Sequence, residues 1–252
     1  MRLTVIGCSG SFAGPDAAAS CYLVETTDAD GRSWRILLDL GSGALGPLQR
    51  LADPAGIDAV FFSHLHADHC LDLCGYYVLR KYHPGGALPP IPVWGPVGVA
   101  RRMAKAYDLP KDPGMALEFE FHEYAGTVEV GPLRVEPVRV AHPVPAFGLR
   151  VSAEGRTLAY TGDTGPCDAL DRLAAGAHLL LAESSFRHGE DNPDDLHLTG
   201  RDAGEVAARN DLDRLVLTHV PPWYDVADML VEAGEVFAGE LSAAAPGATY
   251  DV

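Results

Sequence analysis

The segment Ser63-His64-Leu65-His66-Ala67-Asp68-His69 places four potential metal ligands within six residues, directly after the apolar run Ala59-Val60-Phe61-Phe62. Three imidazoles and a carboxylate suit a borderline divalent ion such as zinc, and this crowding of donors at one strand end suits two ions better than one. A strand over 59–62 that runs out into a loop points His64 and His66 the same way, because side chains alternate with period two. Asp68 and His69 then fall on the turn that opens a helix. From Cys70 to His83 the chain has no proline and Gly75 as its sole glycine, so one helix is expected over 71–82.

Working outward, each later strand ends in a residue able to coordinate a metal. His142 follows Val138-Arg139-Val140, Asp163 follows Leu158-Ala159-Tyr160-Thr161-Gly162, and His219 follows Leu215-Val216-Leu217-Thr218. Strand ends are rigid supports for a site assembled from distant parts of a chain. The resulting donor set is His64, His66, Asp68, His69, His142, Asp163 and His219. It fits two adjacent divalent ions, zinc first and manganese or iron as alternatives, with Asp163 the natural bridge because a carboxylate offers two oxygens. Two ions ~3.5–4 Å apart neutralise charge on a phosphoryl or carbonyl oxygen, which makes hydrolysis the expected reaction class.

His197 lies in the polar loop Asp194-Asp195-Leu196-His197-Leu198-Thr199. Since seven other ligands fill two sites, it is expected to give a proton to the leaving group, with Glu183 orienting its ring. Asp68, His197 and Glu183 form the expected catalytic set, Asp68 serving as a ligand as well. Asp39, at the end of the strand 34–38, fits either a hydrogen-bond partner of a metal-bound histidine or a turn-forming residue. His83, His122, His178 and His188 sit at no such place and read as surface or packing residues.

The chain has 252 residues, 47% of them hydrophobic and 21% charged, an ordinary globular balance that expects one domain over 1–252. No apolar run approaches the ~20 residues that span a bilayer, and the opening Arg2-Leu3-Thr4-Val5-Ile6 lacks the pattern of a signal peptide. A cytoplasmic protein without membrane contact is expected. Five scattered cysteines argue against a disulfide framework. Cys70 and Cys74, four apart on the expected helix, read as packing rather than metal-binding residues. The net charge of −16 repels long polyanions, while bound metal ions reverse the sign locally. A small anionic substrate is therefore expected, and long nucleic acid is not.

Strands are expected over 3–6, 22–25, 34–38, 59–62 and 92–94, with helices over 45–52 and 97–107. Strands then follow over 118–122, 127–130, 133–140, 147–153 and 157–160. Helices over 167–174, 200–210 and 226–237 alternate with strands over 179–182 and 214–218. Two groups of strands, each closed by helices, suit an α/β fold of two sheets face to face with helices outside.

Taken together, Ser63 to His69, the isolated His142, Thr161-Gly162-Asp163-Thr164, Ala182-Glu183-Ser184-Ser185-Phe186 with His197-Leu198-Thr199, and Leu217-Thr218-His219 resemble the metallo-β-lactamase superfamily, in its ribonuclease Z-like branch. The resemblance covers nearly the whole chain. It implies a four-layer αββα sandwich with metals at one edge of the sheets. It also implies His64, His66 and His142 on one metal, Asp68, His69 and His219 on the other, Asp163 bridging, a proton-handling pair of Glu183 and His197, and a homodimer. Two features depart from ribonuclease Z. Twenty residues separate His142 from Asp163, too few for the inserted arm that grips tRNA in that family. Val220-Pro221-Pro222-Trp223-Tyr224 also stands where the family usually has a basic residue. The expected function is thus a phosphodiesterase on a small or cyclic phosphodiester such as a cyclic nucleotide. Alternatives are a tRNA 3′ endonuclease, a lactone or thioester hydrolase, and a non-catalytic metal-binding interaction protein.

Overall fold

A computed structural model describes residues 1–252. Strands β1 (Arg2–Gly7), β2 (Cys21–Thr27) and β3 (Ser33–Leu38) pair antiparallel, and helix α1 (Leu45–Leu51) leads to β4 (Ala59–Phe61). Helices α2 (Ala67–Cys70) and α3 (Leu73–Lys81) come next, then β5 (Ile91–Gly95), α4 (Val99–Ala106) and β6 (Phe119–Glu123). A meander of β7 (Val128–Val130), β8 (Leu133–Arg139), β9 (Phe147–Ala153) and β10 (Arg156–Tyr160) precedes an alternating half. That half comprises α5 (Ala169–Ala174), β11 (Leu179–Glu183), α6 (Gly200–Arg209), β12 (Arg214–Thr218), α7 (Val226–Gly234), β13 (Glu240–Ala243) and β14 (Thr249–Asp251).

Two seven-stranded sheets result, in the orders β14-β1-β2-β3-β4-β5-β6 and β13-β12-β11-β10-β9-β8-β7. The period of two decides what each face covers. Leu158, Tyr160, Leu179, Leu181 and Val216 meet Leu3, Val5, Tyr22, Ile36 and Phe61 in the core between the sheets. Their neighbours Ala159, Leu180, Ala182, Leu215 and Leu217 face outward and pack with Leu170, Leu173, Val206 and Met229 of α5, α6 and α7. On the other side Ile6, Leu23, Leu37 and Val60 pack with Leu48, Leu73, Tyr76 and Met103 of α1, α3 and α4. Strands covered on both faces read as unbroken apolar runs, which is why 179–182 shows no alternation. The layers are αββα, as expected.

Parallel pairing brings the ends of several strands to one edge. Leu38 lies beside Phe61, Tyr160 beside Leu181, and Glu183 beside Thr218. The loops that leave these ends carry Asp39, the 63–69 segment, Asp163 and His219, so the candidate site sits outside the carboxyl ends of the strands.

The structure corrects two expectations. The helix expected over 71–82 is α3, but Cys70, expected on the same helix as Cys74, belongs to the separate turn α2, because the Asp72 amide donates to the Leu40 carbonyl and the Leu40 amide to the His69 carbonyl. This tertiary clip stops the ladder and ties the Asp68-His69 turn to the loop after β3, so Cys70 and Cys74 lie on separate helices. Both still pack in the α3 layer, Cys70 fully buried. Strands β13 and β14 were not expected: each is a short, half-exposed edge strand without an apolar run.

Candidate metal centre

The loops that bear the site follow their strands at sharp angles. Asp39 and His219, each directly after a strand, have φ of 59° and 56°, in the left-handed region that side chains other than glycine rarely adopt. Gly41 lets the first of these loops lie flat on the Asp68 turn, since a Cβ there would stand 1.8 Å from the Asp68 carbonyl oxygen.

One cluster gathers Asp68, His69, Asp163 and His219. His69 Nδ1 donates to Asp39 Oδ2 at 2.8 Å, which leaves Nε2 as the lone-pair nitrogen. His219 Nδ1 donates to Ser185 Oγ at 2.8 Å, and the Ser185 hydroxyl passes its own proton toward Glu183 Oε2 at 2.8 Å. The two Nε2 atoms then face each other at 3.1 Å. Asp68 Oδ2 stands 3.2 Å from His219 Nε2, and Asp163 Oδ1 stands 3.2 Å from His69 Nε2. Burial opposes a charge on His69, yet Asp163 and Asp39 outweigh it and raise its pKa well above the ordinary value.

The second cluster holds His64, His66 and His142. Here His64 Nε2 lies 3.0 Å and His142 Nε2 3.3 Å from His66 Nδ1. His142 Nδ1 donates to the Leu196 carbonyl at 2.9 Å, and His64 Nδ1 lies 3.1 Å from Ser63 Oγ. Burial pushes all three imidazoles below their ordinary pKa, His64 furthest. Asp163 joins the clusters, with Oδ2 3.7 Å from His64 Nε2 and 3.5 Å from His219 Nε2.

These donors fit metal ions. Converging lone pairs repel unless a cation stands among them, and with His69 Nε2 a lone-pair nitrogen the buried Asp163 Oδ1 has no hydrogen-bond donor in the protein, an orphan that a cation would satisfy. The outer hydrogen bonds of His64, His69, His142 and His219 fix their tautomers in the ligating form, as second-shell partners of metal ligands do.

His197 lies beside the centre, its Nδ1 donating to Glu183 Oε1 at 2.9 Å and standing 4.0 Å from Asp163 Oδ2. Burial alone would lower its pKa, but the Glu183 carboxylate and its hydrogen bond, with help from Asp163, raise it to about 9. Glu183 is fully buried, neither a surface acid nor a helix cap; it also accepts from the Thr164 amide at 2.8 Å and from Ser185. Glu183, His197 and His219 lie near enough together to suggest a third ion. All three atoms there are already committed to hydrogen bonds, so we read that set as an orienting network.

With the geometry in view, relatives can be placed. The family described as Beta-lactamase superfamily domain matches residues 34–220. The chain belongs to that superfamily. The uncharacterized protein Rv1339 of Mycobacterium tuberculosis is 43% identical over 258 residues, covering 100% of this chain and 92% of the relative. The Bacillus subtilis protein named as the probable metallo-hydrolase YhfI is 27% identical over 253 residues, covering both chains fully. Its crystal structure superposes with a TM-score of 0.87 and 26% identity, covering 99% of this chain and 98% of that one. Human tRNase Z, short form, shares the fold with a TM-score of 0.77 at 22% identity, covering 100% and 99%. Superfamily, αββα fold and a buried His/Asp site suited to metal ions together assign the chain to the metal-dependent hydrolases.

The structure brings together the donors that the sequence singles out, yet the sequence left much of their support unseen. Ser63, Tyr160 and Ser185 carry no signal of their own, although Asp39 Oδ2 accepts from both Ser63 Oγ and the Tyr160 hydroxyl. Asp39 is the hydrogen-bond partner and not merely a turn former. His122 stacks on Trp94 at 4.3 Å, and His178 Nδ1 accepts from the Thr157 amide, so both are packing residues. No helix is long and apolar enough to cross a membrane.

Proposed function

We propose that the protein is a dinuclear metal-dependent phosphodiesterase acting on a small or cyclic phosphodiester, of which a cyclic nucleotide is the type case. In this reading His64, His66 and His142 would hold one ion and Asp68, His69 and His219 the other, with Asp163, which stands between the two clusters, shared by both. Zinc suits the donor set, and manganese or iron fit the same nitrogens and oxygens. The observation that carries the proposal is a proton-handling pair, the half-buried His197 on the buried Glu183, placed against the seam where Asp163 links the two clusters.

When bound, the ions supply Lewis-acid neutralisation of phosphoryl charge and a nucleophile at neutral pH. The chain's own residues do the rest. Asp68 and Asp163 supply anionic donors that offset the ions' charge and fix their places. Glu183 takes the Nδ1 proton of His197 as a hydrogen bond, which leaves Nε2 without a protein partner and directs it to the substrate. Held protonated by that carboxylate, His197 gives the Nε2 proton to the departing ester oxygen. Alkoxides need that proton and p-nitrophenolate does not. His197→Ala should therefore lower hydrolysis of a cyclic nucleotide by about 10²–10⁴, the usual worth of a general acid, with a much smaller loss on bis(p-nitrophenyl) phosphate. Metal content by elemental analysis should stay at the wild-type level. Equal losses on both substrates would remove His197 as the acid, and wild-type protein that carries metal but cleaves no phosphodiester would remove the function.

The likeness to human tRNase Z extends to the fold alone. A net charge of −16, with Asp194 and Asp195 exposed beside His197, supports a small substrate over a long polyanion. Five unpaired cysteines suit a reducing compartment such as the cytoplasm.

A further inference from the structure

The metal centre opens onto two clefts of nearly equal size and opposite chemistry. One, of about 390 Å³, is bordered by His197 and carries Asp194, Asp195 and Asp202. The other, of about 400 Å³, is bordered by His66 and walled by Leu65, Pro96, Val97, Val144 and Pro145, with Arg102 on its rim. Arg102 Nε donates to the carbonyl of Leu65, the residue before His66, at 3.3 Å. That bond fixes where the guanidinium stands, and no carboxylate pairs with it. Its charge is therefore free to meet a ligand in a cleft whose other lining is His66 and apolar side chains.

We propose that this second cleft binds the nucleobase of a phosphodiester that carries a single nucleoside, cyclic or open, with Arg102 hydrogen-bonding the acceptor atoms of the base edge. The inference rests on the phosphodiesterase reading and adds to it a substrate class and a direction of binding. A planar heterocycle can lay its faces on Leu65, Val97, Val144 and the two prolines while its edge meets the guanidinium fork. A phosphate in the same place would lose hydration against hydrocarbon and recover one cation only. The leaving oxygen then falls on the opposite side, at His197, where Asp194 and Asp195 accept hydroxyl donors and repel a further phosphate. A polynucleotide laid through both clefts would meet those carboxylates, which limits the substrate to one base-bearing arm.

The test uses two substrates with the same leaving group, p-nitrophenyl thymidine 5′-phosphate and methyl p-nitrophenyl phosphate, on the metal-loaded full chain. Wild type should favour the nucleoside ester in kcat/KM. Arg102→Ala should lower the ratio of the two kcat/KM values by about tenfold to a hundredfold, the range open to a hydrogen bond to a charged group, and it should do so through KM. Val97 is 74% exposed, so Val97→Trp can fill the cleft mouth without disturbing the core, and it should lower the same ratio. Loss of turnover on both esters alike, or an unchanged ratio in both variants, overturns the proposal. Should wild type cleave neither ester, the phosphodiesterase reading fails and binding decides the cleft. Thymidine 5′-monophosphate held more tightly than methyl phosphate, with the difference lost in Arg102→Ala, supports a base site. Equal binding of the two overturns it.

Discussion

The two halves of the metal centre are built on different plans. The Asp68, His69, Asp163 and His219 half is buried throughout, carries two carboxylates of its own, and is backed by side chains that end in acids, Asp39 behind His69 and Ser185 with Glu183 behind His219. The His64, His66 and His142 half has no carboxylate except Asp163 on its border. Its supports are a hydroxyl and a backbone carbonyl, and His66 and His142 are half-buried. In the dinuclear reading proposed above, the contrast predicts a division of labour: negative charge and burial would make the first half the anchoring site, and neutrality and access would make the second the half that meets the substrate and exchanges its ion more readily.

The harshest way to break this comparison is to remove the residue both halves share. Asp163→Ala should strip metal from both clusters and bring phosphodiester turnover down to background, as measured by elemental analysis and assay together. Retention of a full metal complement would show that the halves are independent. Next in size is His197→Ala, described above, which should leave both ions in place. Asp39→Asn comes third. It keeps the volume but loses the charge behind His69, and should weaken the ion of the anchoring half by about 10- to 100-fold, the usual effect of a second-shell partner. Titration with a chelator should then release the two ions at closer concentrations than in wild type, where the His66 side is expected to empty first. The reverse order in wild type would overturn the division of labour.

Metal-stripped protein sharpens the contrast further. Burial holds His64, His66 and His142 below the ordinary imidazole pKa, whereas His69 is raised by Asp163 and Asp39 against its burial. The signs oppose each other. Neutral imidazoles with depressed values contribute stability above the unfolded histidine range and lose it as pH falls. The raised His69 contributes stability below that range and loses it as pH rises. Imidazole resonances of the chelated protein should show three histidines of the substrate-facing cluster neutral near pH 7 while His69 stays protonated.

The sequence made the candidate donors legible because they follow strands or sit on the turn after one, and strand ends are easy to read in apolar runs such as 59–62 and 215–217. The fold was legible for the same reason: two sets of such runs, each followed by helices. What escaped was supplied by tertiary contact. The break between α2 and α3 depends on a Leu40 carbonyl thirty residues upstream in the loop after β3, and no local propensity records it. The supporting hydroxyls of Ser63, Ser185 and Tyr160 are common residue types whose role exists only once the strands align. The base-side cleft joins Pro96-Val97 to Val144-Pro145, stretches that have no periodic relation to each other. β13 and β14 are half-polar edges, where burial imposes little pattern.

The smallest expected effect lies far from the metals, and it separates the scaffold's acid response from that of the site. Glu25, on β2, accepts from Arg2 Nη2 at 2.9 Å and Arg35 Nε at 2.8 Å. Burial would raise its pKa, but the two guanidinium hydrogen bonds and their charges outweigh it and leave the carboxyl below its ordinary value. The folded protein therefore binds this proton less tightly than the unfolded chain. The ion pairs contribute in full above the ordinary glutamate range, and the contribution disappears as pH falls through the lowered folded value. Both arginines are partly exposed, at 55% and 33%, so Glu25→Gln should cost about 1 kcal/mol or less at neutral pH. Thermal unfolding of metal-stripped wild type and variant should differ at pH 7 and converge in acid, once the wild-type carboxylate is protonated. The substrate-facing histidines also lose stability on acidification, but from the imidazole range downward. A wild-type–variant difference that already vanishes in the imidazole range would mean that Glu25 takes up its proton together with the histidine cluster instead of separately from it.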